Sequence, residues 1–513
     1  MLIYIPCEER NRTMAKKLLS LLTAALMLAP AMLSCAETAP DETKEAGTPS
    51  GDVVSADTAE ELETDAEITP DLPADLNFDG HEFRILNNDY SIKIWAQIDI
   101  FAEEMTGEPI NDAVFERNAA VSDKYGCTIA SEQTTDITGV LKKSILSMDG
   151  FVDVVTPQLR TFAAHAREGN YLDLHTVPTM DLSKPWYDQN SVKEVSINKL
   201  LYGAATDITI MDEQATGAYV FNKELYENYQ LGTSIGSIYD VVRDGKWTMD
   251  TLSGMITTVS ADLNGDGIRN ANDLYGMFYQ RDTLTSLFTG FNINIAAKNA
   301  DDIPEMTLMS EQNSDIMDRI FDMLYQEDYC FQVMAKLGES NWSDGMVSMF
   351  QNDQALLMWI RLADVENLRT MDTDFGILPM PKYTETAEGY RSAVNSYVGT
   401  LTCIPICNYD PEMTGYFIEA LAYEGRRTLM PAYYEVNLQG KVSRDEESRA
   451  MLDIIFSERH YDLGEIYDPG NFANTLIYMT QTNDRDYASK WAKNERLITR
   501  SLDKMLENFG VEG

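Results

Sequence analysis

Along the chain, short apolar runs alternate with longer stretches in which apolar side chains recur every three or four positions. The short runs predict strands at Phe83–Leu86, Thr128–Ala130, Val152–Thr156, Leu201–Ala205, Ala218–Phe221, Ala355–Trp359 and Phe375–Leu378. The longer stretches predict helices at Ile110–Tyr125, Val140–Ser147, Thr248–Val259, Ile316–Gln326 and Leu362–Met371. Strands separated by helices define an α/β architecture. From Pro411 onward helices dominate, at Met413–Gly425, Asp445–Glu458 and Tyr487–Phe509. No internal repeat is present, and nothing after residue 35 is long and apolar enough to cross a bilayer.

The N-terminus departs from this pattern. Residues 18–33 are an apolar run behind Lys16 and Lys17, interrupted by Pro30 and short for a membrane span, as in a secretory signal. MAKKLLSLL from Met14 is a complete signal opening, which would make the residues before it an upstream artefact. The run ends in Met32-Leu33-Ser34-Cys35, which resembles a bacterial lipobox with Met32 where Leu is usual. The segment 1–35 therefore reads as a signal peptide. Either Cys35 becomes an acylated N-terminus or the chain is cleaved and released.

Residues 36–75 carry 13 acidic residues, a single Lys44 and no aromatic. So little apolar surface cannot offset ordering entropy, so 36–77 is expected to be an extended, self-repelling tether.

The whole chain is 513 residues with 83 Asp+Glu against 40 Lys+Arg, a net charge of -43. A surface of that sign repels phosphate backbones and argues against a nucleic-acid partner. Length allows two lobes rather than one core. Four histidines leave little for general-base or His-metal chemistry. Cys127, Cys330, Cys403 and Cys407 form no CxxC pair and are expected as buried thiols.

Three motifs carry candidate chemistry. In Asp262–Asp273, side-chain oxygens fall at loop positions 1, 3, 5, 9 and 12 through Asp262, Asn264, Asp266, Asn270 and Asp273. The Ile268 carbonyl serves position 7, and Gly267 makes the turn at position 6, a spacing suited to a structural Ca²⁺. Asp273 stands where an EF-hand has Glu, and the competing reading is a solvated Asn/Asp/Gly turn. Gly232–Gly236 matches the nucleophile-elbow pattern, but a helix-like segment precedes it where the elbow needs a strand, so it reads as a loop. Among the aromatics, Trp186-Tyr187 on a Pro-led loop and Trp359 with Arg361 at a strand end suit stacking on sugar rings, with core packing as the alternative.

Several segments, in their order along the chain, resemble extracellular solute-binding proteins of the family 1 type, the substrate-capturing lipoproteins of bacterial carbohydrate ABC importers. These are NDAVFERN (111–118), YVFNK (219–223), GKWT (245–248), Met349-Phe350 before ALLMW (355–359), FGILPMPK (375–382) and the tail from Pro411 through Asp462-Leu463-Gly464. The resemblance implies a periplasmic-binding-protein-like α/β fold: two lobes joined by hinge strands, a ligand cleft between them, and a helical C-terminal part. It places lobe 1 at 78–213 plus about 400–460, lobe 2 at 214–399, and packing helices at 461–513. Crossovers are expected near Asp212–Ala218 and Asn395–Thr400. The implied ligand residues are Trp186, Tyr187, Asp207, Asp212, Trp359, Arg361, Asn395 and Tyr397.

The implied function is capture of a sugar or oligosaccharide by a monomer and its delivery to ABC permease subunits, without catalysis. The implied location is the outer face of the cytoplasmic membrane, held by a lipid anchor. Two other classes remain open at this level: a secreted carbohydrate-active enzyme using a carboxylate pair, and a surface binding protein without a transport role.

Overall fold

The computed structural model describes residues 68–89, 97–338, 342–438 and 446–511. The signal segment, Cys35, the start of the acidic segment and Asp445 lie outside the described residues. Residues 68–77, assigned to the tether by composition, rest on the body: Leu72 and Leu76 pack against the first core. The Lys184 ammonium also reaches the Thr69 carbonyl at 3.2 Å. Two leucines among prolines and acids are enough to dock this stretch.

The first sheet starts with β1 (Glu82–Asn88), followed by α1 (Pro109–Tyr125), β2 (Thr128–Thr134), α2 (Ile137–Ser147), β3 (Val154–Val155) and α3 (Leu159–Ala166). Helix α1 opens on Pro109, whose missing N–H is no loss in the first turn, and closes on Gly126 at φ 65. β1 lies between β2 and β3 and is parallel to both. Antiparallel bridges Val155–Cys403 and Ala204–Thr402 extend this sheet with chain that returns much later. The strand expected at Leu201–Ala205 is reduced to that bridge.

The chain leaves this lobe through Met211–Thr216 and builds a second one. Its elements are β4 (Gly217–Asn222), α4 (Met249–Ile256), β5 (Tyr275–Tyr279), α5 (Thr283–Gly290), α6 (Glu311–Leu324), β6 (Cys330–Gln332), α7 (Val333–Leu337), β7 (Ala355–Arg361) and β8 (Phe375–Leu378). The sheet order is β8-β4-β7-β5-β6. β4 is antiparallel to β8 and β7, whereas β5 is parallel to β7 and β6. Both faces are buried, and the two-residue period divides the strands cleanly. Tyr219, Phe221, Leu357 and Trp359 enter one core, while Ala218, Val220, Met358 and Ile360 enter the other. The strands β5 and β6 are not among those that the apolar pattern predicts, because each is short and abuts polar loops.

β9 (Ser392–Ala393) begins the return. Helix α8 (Pro411–Leu438) packs on α1 in the first lobe, but α9 (Glu446–Ser457) packs on β8 in the second. Its Met451, Leu452 and Ile455 fill the cores of the second lobe. The stretch 400–460 is thus divided between lobes. β10 (Arg459–His460) pairs in parallel with β9 and makes a third crossing that the sequence did not reveal. Two helices follow, α10 (Phe472–Thr482) and α11 (Tyr487–Asn508). Tyr487 and Ile498 of α11 lie in the second-lobe core, and Leu502, Met505 and the following Phe509 in the first. All four later cysteines are free and buried, as expected for small apolar side chains. Among the described residues no helix is long and apolar enough to cross a membrane.

Candidate functional site at the hinge

The parallel strands of both sheets end at the hinge, the edge where open α/β sheets gather polar side chains. In the first lobe, Gln97 Oε1 accepts from the Asn88 backbone N–H at 2.9 Å, and Gln97 Nε2 donates to Thr156 Oγ1 at 3.1 Å. One turn further, Arg160 stands in the first turn of α3. It donates to Ser396 Oγ at 3.1 Å and to the Asp468 carboxylate at 3.0 Å. Its guanidinium lies 4.2 Å from the Tyr397 ring centre.

Tyr397 in turn donates from its hydroxyl to Asn474 Oδ1 at 3.0 Å. From the second lobe, Asp282 follows β5 and accepts from Asn395 Nδ2 at 3.3 Å. Ser396 donates to Glu465 at 3.0 Å. Burial lifts the Glu465 carboxyl to about 7, although Arg160 opposes the rise. Residues of both lobes, the second crossing and the C-terminal segment thus meet in one hydrogen-bonded network.

Helix α10 supplies the open wall. Tyr478, one turn beyond Asn474, is 47% exposed, and the Arg281 guanidinium covers its ring at 4.7 Å. A cavity of about 360 Å³ runs along this helix, bordered by Asn471, Asn474, Thr475, Tyr478 and Gln481. An exposed aromatic ring beside amides and hydroxyls can stack on a flat apolar face and hydrogen-bond the groups around its edge.

The expected ligand residues fall into separate places. Asn395 and Tyr397 belong to the hinge network. Trp186 is 0% exposed within the first core. Its indole N–H and the Tyr187 hydroxyl both donate to Glu419 of α8, at 3.0 and 2.7 Å. Neither ring can present a face to a ligand while the lobe is folded. Trp359 is likewise buried in the second core, and its Nε1 has no partner among the described residues. Arg361 closes onto Asp364 at 2.8 Å.

Asp207 pairs with Arg426 at 3.3 Å, and burial pushes its carboxyl up to about 7. Asp212 lies at the first crossing, but in a buried cluster where Arg459 meets Asp188 at 2.7 Å, Asp212 at 2.8 Å and Glu213. Burial raises the Asp212 carboxyl, and Arg459 opposes that rise. Sequence reasoning missed Arg160, Arg281, Asp282, Asn474 and Tyr478. The available signal was polar residues directly after a strand and an i, i+4 pair on one helix face.

In the 262–273 loop, Gly265 and Gly267 take φ of 72 and 74, which only glycine adopts without strain. Asp262 accepts from both of their amides at 2.7 Å, Asp266 accepts from the Ile268 amide, and Asn270 Nδ2 donates to the Ile268 carbonyl. Asn264 accepts from the Asp266 amide and Asp273 from those of Leu263 and Asn270. Among the described residues no three His, Cys, Asp or Glu side chains converge as a metal-holding group.

No protein-family profile matches the sequence, and no curated protein matches it. Solved structures do match in fold. An ABC substrate-binding protein of Listeria monocytogenes in complex with cycloalternan superposes with a TM-score of 0.50 at 11% identity, over 85% of this chain and 100% of that one. A cyclo/maltodextrin-binding protein complexed with maltotetraose gives 0.52 at 13% identity, over 83% and 96%. A solute-binding protein of Thermotoga lettingae bound with α-D-tagatose gives 0.51 at 11% identity, over 83% and 100%. The fold is therefore that of ABC-transporter substrate-binding proteins, two α/β lobes joined by hinge segments. Each of these three structures holds a bound sugar, and this chain spans nearly their whole length.

Proposed function

We propose that this protein captures a sugar or oligosaccharide between its lobes and delivers it to the permease of an ABC importer, without chemical turnover. The observation that carries the reading is the α10 wall at the hinge. There an exposed Tyr478 backed by Arg281 stands beside Asn474, which is tied through Tyr397 and Arg160 to the crossing segments. Ligand touching both lobes would favour their closure, and a permease can read that state.

The reading includes a signal peptide, acylation at Cys35, an anchor on the outer face of the cytoplasmic membrane and a monomeric body. These rest on the N-terminal sequence and on the fold analogy. A calcium ion in the 262–273 loop is a further part. Its support is the spacing of oxygen donors and the two glycine turns, and binding would draw Asp262 and Asp266 off loop amides.

The test is thermal melting of the purified protein against maltose, cellobiose, xylobiose and raffinose, with product analysis of each mixture. A rise in melting temperature with one sugar class, and unchanged sugar on standing, is the expected result. Release of shorter products would replace the receptor with an enzyme. Absence of any shift across an enlarged sugar panel would remove the carbohydrate assignment.

A further inference from the structure

Helix α11 carries a face that the hinge site does not use. Lys493, Arg496, Leu497, Arg500 and Lys504 recur at intervals of three and four, which places them in one stripe along the helix. All five are exposed, Leu497 by 56%. The opposite face, with Tyr487, Ile498, Leu502 and Met505, is buried against the two lobes. The stripe therefore crosses the junction between them, from Lys493 on the second-lobe side to Lys504 on the first, about 16 Å along the axis.

Its four cations have no acid to answer them. The chain has 83 Asp+Glu against 40 Lys+Arg, and Lys490, just before the stripe, pairs with Asp484 at 2.6 Å. Lys493, Arg496, Arg500 and Lys504 form no ion pair or side-chain hydrogen bond among the described residues. The acids of the same helix do not neutralise them: Glu495 lies off the stripe, and Asp503 and Glu507 beside its end make no ion pair with it. On a surface so rich in carboxylate, four neighbouring free cations are a local reversal of charge. A surface charge acts over about 8 Å at physiological salt, so the net charge of -43 does not decide what this face attracts.

The chain itself indicates the anion. Residues 36–67 separate Cys35 from the described body and span at most roughly 110 Å when extended. An acylated Cys35 would keep α11 within reach of lipid headgroups. Basic clusters close to an anchor are drawn to anionic headgroups, and Leu497 adds an apolar tip suited to the headgroup boundary.

We propose that the exposed face of α11 is a docking surface for the phosphate headgroups of anionic phospholipid, and that it lays both lobes alongside the membrane. The inference rests on the lipid-anchor reading above and adds which face meets the bilayer. The acidic remainder of the surface favours this one orientation.

The experiment replaces the acyl anchor by a chemical one. The exported chain from residue 36, with an N-terminal hexahistidine tag, is held on vesicles by a trace of nickel-chelating lipid. One set of vesicles is phosphatidylcholine, the other equal parts phosphatidylcholine and phosphatidylglycerol. A donor dye on Thr499→Cys reports energy transfer to an acceptor lipid, and the four later cysteines are buried and escape labelling. Transfer should be at least ~2-fold greater on the phosphatidylglycerol vesicles and should fall to the phosphatidylcholine level in about 0.5 M salt. Lys493→Gln, Arg496→Gln, Arg500→Gln and Lys504→Gln combined should abolish the difference. All four positions are exposed and Gln is a good helix former, so the melting temperature should stay close to that of the wild type.

Equal transfer on the two kinds of vesicle, or a difference that survives the four substitutions, would overturn the docking surface and leave the anchor reading intact. Mass spectrometry of the protein recovered from its own membranes tests that reading separately. A chain without lipid on Cys35 would overturn the anchor, and with it this surface's role at the membrane.

Discussion

The guanidinium of Arg459 lies 2.8 Å from the carboxylate of Asp212, joining the third chain crossing to the first. Asp188 and Glu213 bind the same cation, and all four side chains are at least nine-tenths buried. Removing the guanidinium they share leaves three carboxylates in a poorly hydrated place. Arg459→Met should therefore lose about 3–5 kcal/mol of unfolding free energy, measured by urea denaturation at neutral pH. A loss below about 1 kcal/mol would show that the acids already carry protons there.

The hinge also carries a signed dependence on pH. Burial raises Glu465 to about 7 from 4.5 and Asp99 to about 6 from 3.8. A carboxyl whose folded pKa lies above its unfolded one binds more protons when folded. Its contribution is complete below the unfolded value and is lost as pH rises through the folded value. Between pH 5 and pH 8 the melting temperature of Glu465→Gln should therefore fall less than that of the wild type. Parallel curves for the two proteins would show that Glu465 is not shifted upward.

Much of the body could be read from period alone. Phe375–Leu378 is observed as expected, and α1 differs from its expected span by a single residue. Both are long or strongly patterned relative to their class. The hinge was less legible, because β9 and β10 are two residues each and pair across a long separation. Two residues carry no periodicity. The burial of the aromatic candidates was not legible for a related reason: Trp186 and Trp359 have the composition of a sugar platform, but burial is decided by distant partners such as Glu419. Tyr478 sits on an ordinary amphipathic helix and becomes distinctive only once Arg281 is folded against it.

Those two kinds of aromatic should separate experimentally. Trp186→Ala opens the first core and leaves Glu419 without one of its donors, so it should destabilise the protein by about 3–5 kcal/mol. Tyr478→Ala removes an exposed ring and should change stability by less than about 1 kcal/mol. Its effect should appear in calorimetric affinity, as about a tenfold or greater loss for whichever sugar raises the wild-type melting temperature. Unaltered affinity in Tyr478→Ala would remove α10 from the ligand site.

The 262–273 loop gives the last prediction. Its amides are already satisfied by its own carboxylates, so it has a defined shape without a cation, and calcium would exchange those bonds for coordination to Asp262 and Asp266. If the ion binds the folded state alone, stability rises by about 2.7 kcal/mol when its concentration is about 100 times the dissociation constant. Protein treated with EGTA should accordingly melt lower than the same protein with millimolar Ca²⁺. Asp262→Ala should abolish that difference, while also lowering the baseline because Gly265 and Gly267 lose their acceptor. Equal melting temperatures with EGTA and with Ca²⁺, with Asp262→Ala still less stable, would identify the loop as a self-bonded turn whose acidic spacing serves its own amides.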